Sequence, residues 1–153
     1  MNRVFVYGTL KQGFSNHGLL RDAVLLSDNS VVTEKHLMLS SSPVPGHGIP
    51  FVVPSSDVPD MSDKFSVIYG EQWAVNDEQL ARLDILESHP SWYERKKVIV
   101  RDLHTQHISD VWLYFMAYDR IPAHGHIYVI PNGTFGDTDD YVSYSKLHNL
   151  VAG

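Results

Sequence analysis

The sequence predicts an α+β fold, and three features of the chain indicate it. Seven short apolar segments, separated by proline, glycine and serine, are typical of β-strands. One segment among them has the periodicity and the capping residues of an α-helix. The chain contains no repeat and no low-complexity linker, so we expect residues 1–153 to form one domain. The simplest arrangement is a curved mixed sheet or barrel with the helix packed on it.

The predicted strands follow one another along most of the chain. They are Arg3–Tyr7, Val31–Leu39, Phe51–Pro54, Phe65–Val75, Tyr93–Val100, Asp110–Tyr118 and Ile127–Ile130. Residues 40–60 carry five of the eight prolines. We therefore predict a long surface loop there, with only the short extended piece at Phe51 inside it. Loops of this kind often line binding sites.

The predicted helix lies in the segment NDEQLARLDILESHP, residues 76–90. Asn76 can cap its N-terminus together with Gln79, which follows three residues later. The two acidic residues after the cap suit the positive end of the helix dipole, and Pro90 ends the pattern. A second, shorter helix is predicted around NHGLLRDA, residues 16–23.

Composition excludes several classes of function. Twelve basic residues against eighteen acidic residues give a net charge of −6, which would repel a nucleic acid backbone, so no nucleic acid partner is expected. The chain has no cysteine and therefore no disulfide, thiolate nucleophile or cysteine zinc site. It also lacks a signal sequence and any apolar run of the about 20 residues that a membrane helix needs. We expect a soluble, cytoplasmic protein.

The first predicted strand ends in the sequence FVYGTLKQG. The spacing of Gly8 and Gly13 is that of a phosphate-binding P-loop, but Phe14-Ser15 stands where that motif needs lysine and then Ser or Thr. A glycine at the end of a strand lets the backbone approach a ligand, with the N–H groups of Gly8, Thr9 and Leu10 free to converge on an anion. The alternative is an ordinary turn in which the Thr9 hydroxyl bonds its own backbone.

A carboxylate lies on the apolar stripe of the predicted helix. Four residues share this stripe at the i, i+3, i+4 and i+7 positions: Leu80, Leu83, Asp84 and Glu87. Burial would raise the pKa of Glu87 toward neutrality, as a general base requires. Alternatively, Glu87 reaches solvent at the helix end or pairs with Arg95 or Lys97. Asp84 has the same ambiguity, with a bracing role favoured.

Other candidate chemistries have less support. The nine histidines include two close pairs, His104 with His107 and His124 with His126, but both pairs fall on predicted loops without an HExxH helix. We therefore predict no metal site. No G-x-S-x-G motif indicates a serine nucleophile.

Two segments together, FVYGTLKQG and LDILESHPSWYERKKVIV, resemble the γ-glutamylcyclotransferase family, also called AIG2-like. In that family a Tyr-Gly-Thr-Leu loop is followed, roughly seventy to eighty residues later, by Leu-Asp-x-x-Glu and then by Tyr-x-Arg and a strand. Here these motifs are Tyr7–Leu10, Leu83–Glu87 and Tyr93–Arg95, and the resemblance extends to about Asp102.

Within the family, the chain more closely resembles the γ-glutamylamine cyclotransferase branch. The segments YGTLKQGFSNHGLLRD and GIPFVV and the run from Glu87 to Tyr93 are similar to that branch. Ser88 replaces a glycine that is common after the glutamate elsewhere in the family. This departure favours the branch over cyclotransferases that act on γ-glutamyl-α-amino acids or glutathione.

The resemblance implies a small mixed β-barrel with one main helix at its side, and no cofactor. It implies that the backbone of Tyr7, Gly8, Thr9 and Leu10 binds the γ-glutamyl group and that Glu87 transfers protons. The substrate would be γ-glutamyl-ε-lysine or a related γ-glutamylamine, converted to 5-oxoproline and a free amine. The alternatives are a cyclotransferase for γ-glutamyl-α-amino acids and a binding module without activity.

Further candidates for the wall of the substrate pocket are Tyr93 and the run Ile49-Pro50-Phe51, with core packing as the alternative.

Overall fold

The computed structural model describes residues 1–121, 127–136 and 142–144. Its strands are β1 (Asn2–Val6), β2 (Val24–Val32), β3 (Leu37–Ser40), β4 (Pro50–Val53), β5 (Tyr69–Val75), β6 (Tyr93–Asp102), β7 (Ile108–Met116), β8 (Ile127–Val129) and β9 (Val142–Tyr144). The α-helix α1 spans Asp77–Leu86. Short 3₁₀ helices occupy His17–Leu20, Ser55–Asp57, Pro59–Lys64 and Tyr118–Arg120.

Five strands form a closed barrel in the order β1-β5-β2-β6-β7. A parallel contact between Val4 of β1 and Trp112 of β7 closes it, whereas the other pairs in the barrel are antiparallel. Four strands form a second sheet in the order β4-β3-β8-β9. The predicted mixed barrel with one main helix is confirmed.

The first strand lies in the core on both of its faces. Val4 and Val6 belong to the same buried cluster as Leu83 of α1, whereas Phe5 belongs to a second cluster with Met38 of β3. Because β1 is covered on both sides, its end is fixed between the helix and the second sheet. The loop that follows β1 therefore starts from a rigid position.

Two of the predicted strands differ from the structure by more than two residues at an end. The segment predicted as Val31–Leu39 is divided between β2 and β3, and β2 already begins at Val24. The early part of β2 was missed because Ser27 and Ser30 interrupt the apolar pattern. Both serines are buried and hydrogen-bonded: the Ser30 hydroxyl donates to Ser27 Oγ (2.8 Å) and accepts from Gln72 Nε2 (2.8 Å) on β5. The strand predicted from Phe65 begins at Tyr69.

The proline-rich segment is not entirely a surface loop. Its extended piece is β4, which pairs with β3, and Val52 and Val53 are completely buried. Residues before β4 do remain exposed, among them Ile49. The prediction therefore located the strand correctly but missed that it lies in the core.

The main helix has the predicted cap. The Asn76 side chain accepts from the Gln79 N–H (2.7 Å), and the Gln79 side chain accepts from the Asn76 N–H (2.8 Å). The helix ends at Leu86 with Glu87 as its C-cap, and Ser88 has a φ of 51°, the left-handed conformation that favours glycine after a helix. The second predicted helix is only the 3₁₀ helix His17–Leu20. Within the described ranges, no helix is long and apolar enough to span a membrane.

Candidate active site

A cavity of about 230 Å³ lies where the end of β1 meets the end of α1. The loop Tyr7–Leu10, Glu87, Ile49 and Tyr93 all line it, although they are far apart in the sequence. Phe51 lies behind this wall, because its ring stacks on Tyr93 at a centroid distance of 6.2 Å. The structure thus brings together every predicted site residue except Phe51, whose role is packing.

The loop after β1 turns its carbonyl groups toward protein partners. The Gly8 carbonyl accepts from the Lys11 N–H (3.0 Å), the Thr9 carbonyl from the Asn16 N–H (2.8 Å), and the Leu10 carbonyl lies 2.9 Å from His17 Nδ1. The Thr9 hydroxyl accepts from the Asn16 side chain (2.9 Å) and not from its own backbone. Among the described residues, the N–H groups of Gly8, Thr9 and Leu10 have no acceptor. These donors are available to a ligand.

Gly8 is required because the loop packs tightly against β4. A Cβ atom at this position would lie 2.5 Å from Cγ of Pro50, which is closer than real Cβ contacts allow. Pro50 itself is held in place, since its carbonyl accepts from the Tyr93 hydroxyl (3.0 Å). The glycine therefore serves close packing, which keeps the three N–H groups at the cavity.

Glu87 is half-buried at the C-terminal end of α1. Its N–H donates to the Leu83 carbonyl (3.0 Å), whereas its carboxyl group has no hydrogen-bond partner in the described part of the chain. Burial raises the pKa of Glu87 to about 7. The carboxyl group can therefore both accept and donate a proton near neutral pH. It does not form the alternative pair with Arg95, which binds Asp84 instead.

The charge of Glu87 contributes to a raised pKa at two nearby tyrosines. The Tyr7 hydroxyl donates to the Tyr114 carbonyl (2.7 Å), and burial, followed by the charges of Tyr93 and Glu87, raises its pKa. Burial and Glu87 likewise raise the pKa of Tyr93. Both phenols therefore remain protonated at neutral pH and fix the cavity floor through their hydrogen bonds.

Asp84 braces the helix against two strands of the barrel. Its carboxylate accepts from Arg95 Nε (2.8 Å) and Nη2 (3.2 Å) on β6 and from the Tyr114 hydroxyl (2.6 Å) on β7. Burial alone would raise the pKa of Asp84, but the hydrogen bonds from Arg95 and Tyr114 outweigh it and lower the pKa. Because Asp84 lies one helical turn before Glu87, this brace fixes the end of α1 at the cavity.

We expect Asp84→Asn to lower the free energy of unfolding by about 1–2 kcal/mol, since the charged hydrogen bonds of a largely buried group are weakened. Urea unfolding measures this change. The matched control is Glu78→Gln on the same helix, whose ion pair with Arg82 is exposed and 3.5 Å long. An equal effect of both substitutions would contradict the bracing role.

The raised pKa of Glu87 also predicts a pH-dependent stability. Between about pH 4.5 and pH 7 the folded protein keeps a proton that the unfolded chain has released, so the free energy of unfolding falls as pH rises through this interval. We expect Glu87→Gln to remove this fall and to be more stable than the unmodified protein by about 2 kcal/mol at pH 8. Urea unfolding of both proteins at pH 4 and pH 8 tests this prediction. It would be refuted if the difference between their free energies of unfolding were the same at both pH values.

Sequence reasoning missed several residues of the cavity. They are Phe5, Val6, Asn16, Leu86, Trp92 and Tyr114. Of these residues, Asn16 could best have been inferred from the sequence, because it is polar and lies shortly after the loop Tyr7–Leu10. The aromatic and aliphatic residues fit a core position equally well.

The histidine pairs lie apart from this cavity. His104 Nε2 lies 2.6 Å from Asp28 Oδ1 at the surface, and His107 is exposed. His124 and His126 fall outside the described residues. Within the part of the chain that is described, no three potential metal-ligating side chains form a group.

Comparison with known proteins supports one family. The family model described as "Gamma-glutamyl cyclotransferase, AIG2-like" matches residues 4–137. A protein of Methanocaldococcus jannaschii named "Putative gamma-glutamylcyclotransferase MJ1514" is 37% identical over 117 residues, covering 75% of this chain and 84% of its own. The human "Gamma-glutamylaminecyclotransferase" is 34% identical over 100 residues, covering 62% of this chain and 59% of its own.

A solved structure agrees with the sequence matches. The crystal structure of an AIG2-like protein from Mus musculus superposes with a TM-score of 0.60 and 26% sequence identity, covering 76% of this chain and 77% of that one. The matched residues 4–137 include both the loop after β1 and Glu87. The chain belongs to the γ-glutamylcyclotransferase, AIG2-like family.

Proposed function

We propose that this protein is a γ-glutamylamine cyclotransferase, which converts γ-glutamyl-ε-lysine and related γ-glutamylamines to 5-oxoproline and free amine. The observation that carries the proposal is the position of Glu87, with a pKa of about 7, in one cavity with the unpaired N–H groups of Gly8–Leu10. Relatives from human and rat named γ-glutamylaminecyclotransferase support it. Such substrates are released when transglutaminase cross-links are degraded.

In this reaction the substrate attacks itself. The α-amino nitrogen forms a bond to the γ-carbonyl carbon and closes a five-membered ring, and the bond from that carbon to the amine nitrogen breaks. A free α-amino group has a pKa near 8, so most of it carries an extra proton at pH 7. Glu87 would take a proton from the attacking nitrogen and return one to the leaving amine. This scheme needs no protein nucleophile and no cofactor.

The loop after β1 would supply the remaining part of the catalysis. Folding the substrate so that its amine meets its own carbonyl costs entropy, and well-oriented intramolecular reactions gain about 7–11 kcal/mol from such positioning. The N–H groups of Gly8, Thr9 and Leu10 would bind the substrate's carboxylate or the developing oxyanion. The protonated Tyr7 and Tyr93 would keep the cavity floor neutral beside the Glu87 carboxylate.

Charge along the cavity favours amines over α-amino acids as the leaving group. A leaving α-amino acid would carry its carboxylate next to the bond that breaks. No lysine, arginine or histidine is among the described residues that line the cavity, so this carboxylate would lack a partner there. A γ-glutamylamine has no such charge at this position.

A side-by-side assay tests the proposal. The purified protein is given γ-glutamyl-ε-lysine and γ-glutamyl-alanine, and 5-oxoproline is measured by chromatography. We expect faster turnover of the first substrate. Faster turnover of the second would indicate a cyclotransferase for γ-glutamyl-α-amino acids. Binding of 5-oxoproline without turnover of either would indicate a binding module.

A further inference from the structure

The mouth of the cavity is apolar and exposed. Three large hydrophobic residues line the cavity and yet remain open to solvent: Ile49 is 53% exposed, Trp92 43% and Leu86 39%. The tyrosines of the floor, Tyr7 and Tyr93, are each only 6% exposed. The three exposed residues therefore lie at the opening, and we call them the apolar mouth.

The apolar mouth is built from three separate segments with fixed backbones. Leu86 ends α1, Trp92 precedes β6, and Ile49 precedes β4. The Ile49 N–H donates to the Ser41 hydroxyl (2.8 Å), and the Trp92 carbonyl accepts from Arg120 Nη1 (2.8 Å). Exposed hydrophobic side chains brought together around a cavity mark a surface that a ligand covers.

The geometry decides which part of a substrate would reach this mouth. The γ-glutamyl group must lie between Glu87 and the N–H groups of the loop, so the amine substituent extends outward. Glu87 is the only acidic residue, and no residue is basic, among the described residues of the lining. A charged end group would therefore lose water at the mouth without gaining a partner from the lining, whereas an alkyl or aryl group would gain from burial. The nearby Arg120 guanidinium already donates to the Pro90 and Trp92 carbonyls.

We propose that the apolar mouth selects γ-glutamyl amides of uncharged alkyl- or arylalkylamines over γ-glutamyl-ε-lysine. This inference rests on the proposed function and specifies its substrate class. It makes the lysine derivative, which carries an ammonium and a carboxylate at its far end, a slower substrate of the same site.

The experiment compares three amides that share a five-carbon chain on the leaving nitrogen. They are the γ-glutamyl amides of n-pentylamine, of 1,5-diaminopentane and of the lysine ε-amine. We expect kcat/KM for the pentylamide to exceed that for the lysine amide by about tenfold or more, the size of effect that a hydrophobic pocket gives. The diamine derivative should resemble the lysine amide, because it also carries an ammonium.

A matched pair of variants tests whether the mouth is responsible. Leu86→Gln removes an apolar side chain from the mouth, whereas Ile85→Gln changes its neighbour, which is 78% exposed and does not line the cavity. We expect Leu86→Gln to lower the pentylamide-to-lysine ratio of kcat/KM several-fold and Ile85→Gln to leave it unchanged. Because the readout is a ratio, partial unfolding of a variant does not alter it.

The outcomes separate this inference from the function on which it rests. A lysine amide turned over as fast as the pentylamide would overturn the inference and leave the proposed function standing. Equal ratios for the two variants would also overturn the role of the mouth. If no amide gave 5-oxoproline, the proposed function would fall and the inference with it.

Discussion

Replacing Glu87 with glutamine is expected to lower kcat for 5-oxoproline formation by about 10²- to 10⁴-fold, the usual contribution of a general acid–base group. Glutamine keeps the size and shape of the side chain but cannot take up the proton that the attacking amine must lose. The substitution should affect kcat much more than KM, because the N–H groups of Gly8–Leu10 remain in place. Steady-state kinetics with γ-glutamyl-ε-lysine and with the pentylamide measure both parameters.

The control for this experiment is Glu78→Gln on the same helix. The Glu78 side chain is 81% exposed, and within the described residues its one ion pair is with Arg82. Its replacement should leave kcat unchanged. Calorimetry with 5-oxoproline should detect binding to the Glu87→Gln protein, which separates a lost proton transfer from a lost pocket. Near-normal kcat for Glu87→Gln would refute the assigned role of this carboxylate.

The parts of the fold that depend on local chemistry could be predicted from the sequence. The Asn76 and Gln79 cap, and the burial of Leu80 and Leu83, follow from residues only three or four positions apart. The start of β2 could not be predicted, because the buried Ser27 and Ser30 interrupt its apolar pattern. Their hydroxyls bond to each other, and Ser30 also accepts from Gln72 on β5. A polar side chain that is satisfied across the barrel looks like a loop residue in a one-dimensional pattern.

The same distinction applies to the candidate site. Glu87 could be identified as a candidate from the sequence, because a carboxylate on the apolar stripe of a helix breaks the pattern of its neighbours. Departures of this kind are concentrated at functional sites. Tyr114 could not be selected, because an aromatic residue in a strand is normal core. Its carbonyl accepts from Tyr7 only once β7 lies beside the end of β1, and its hydroxyl donates to Asp84 only once β7 lies beside α1.

A methyl group at Gly8 is expected to lower kcat/KM about 10²- to 10³-fold, the loss that follows when an oxyanion donor is removed. The added Cβ would meet the Pro50 ring at 2.5 Å. The ring cannot move freely, since β4 pairs with β3 and the Tyr93 hydroxyl binds the Pro50 carbonyl. The loop must therefore shift, which takes the N–H groups of Thr9 and Leu10 away from the substrate.

Gly18→Ala is the matched control, because a Cβ at Gly18 would have no atom within 4 Å. We expect this variant to keep its activity. Urea unfolding of the Gly8→Ala protein shows how much of its loss reflects stability, and kinetics are measured where the protein remains folded. Full activity of a folded Gly8→Ala protein would contradict the role of the loop.

The pH dependence of kcat distinguishes what the two substitutions remove. With Glu87 as the base and a pKa of about 7, kcat should rise as pH increases through neutrality, because the carboxylate is the active form. Gly8→Ala should show the same rise with pH but a lower kcat at every pH, since this substitution changes the geometry of the loop. Glu87→Gln should lose the part of the rise centred near pH 7 and keep only a rise near pH 8, where the substrate's own amine loses its proton. A Gly8→Ala profile without the rise would mean that the loop also sets the protonation of Glu87.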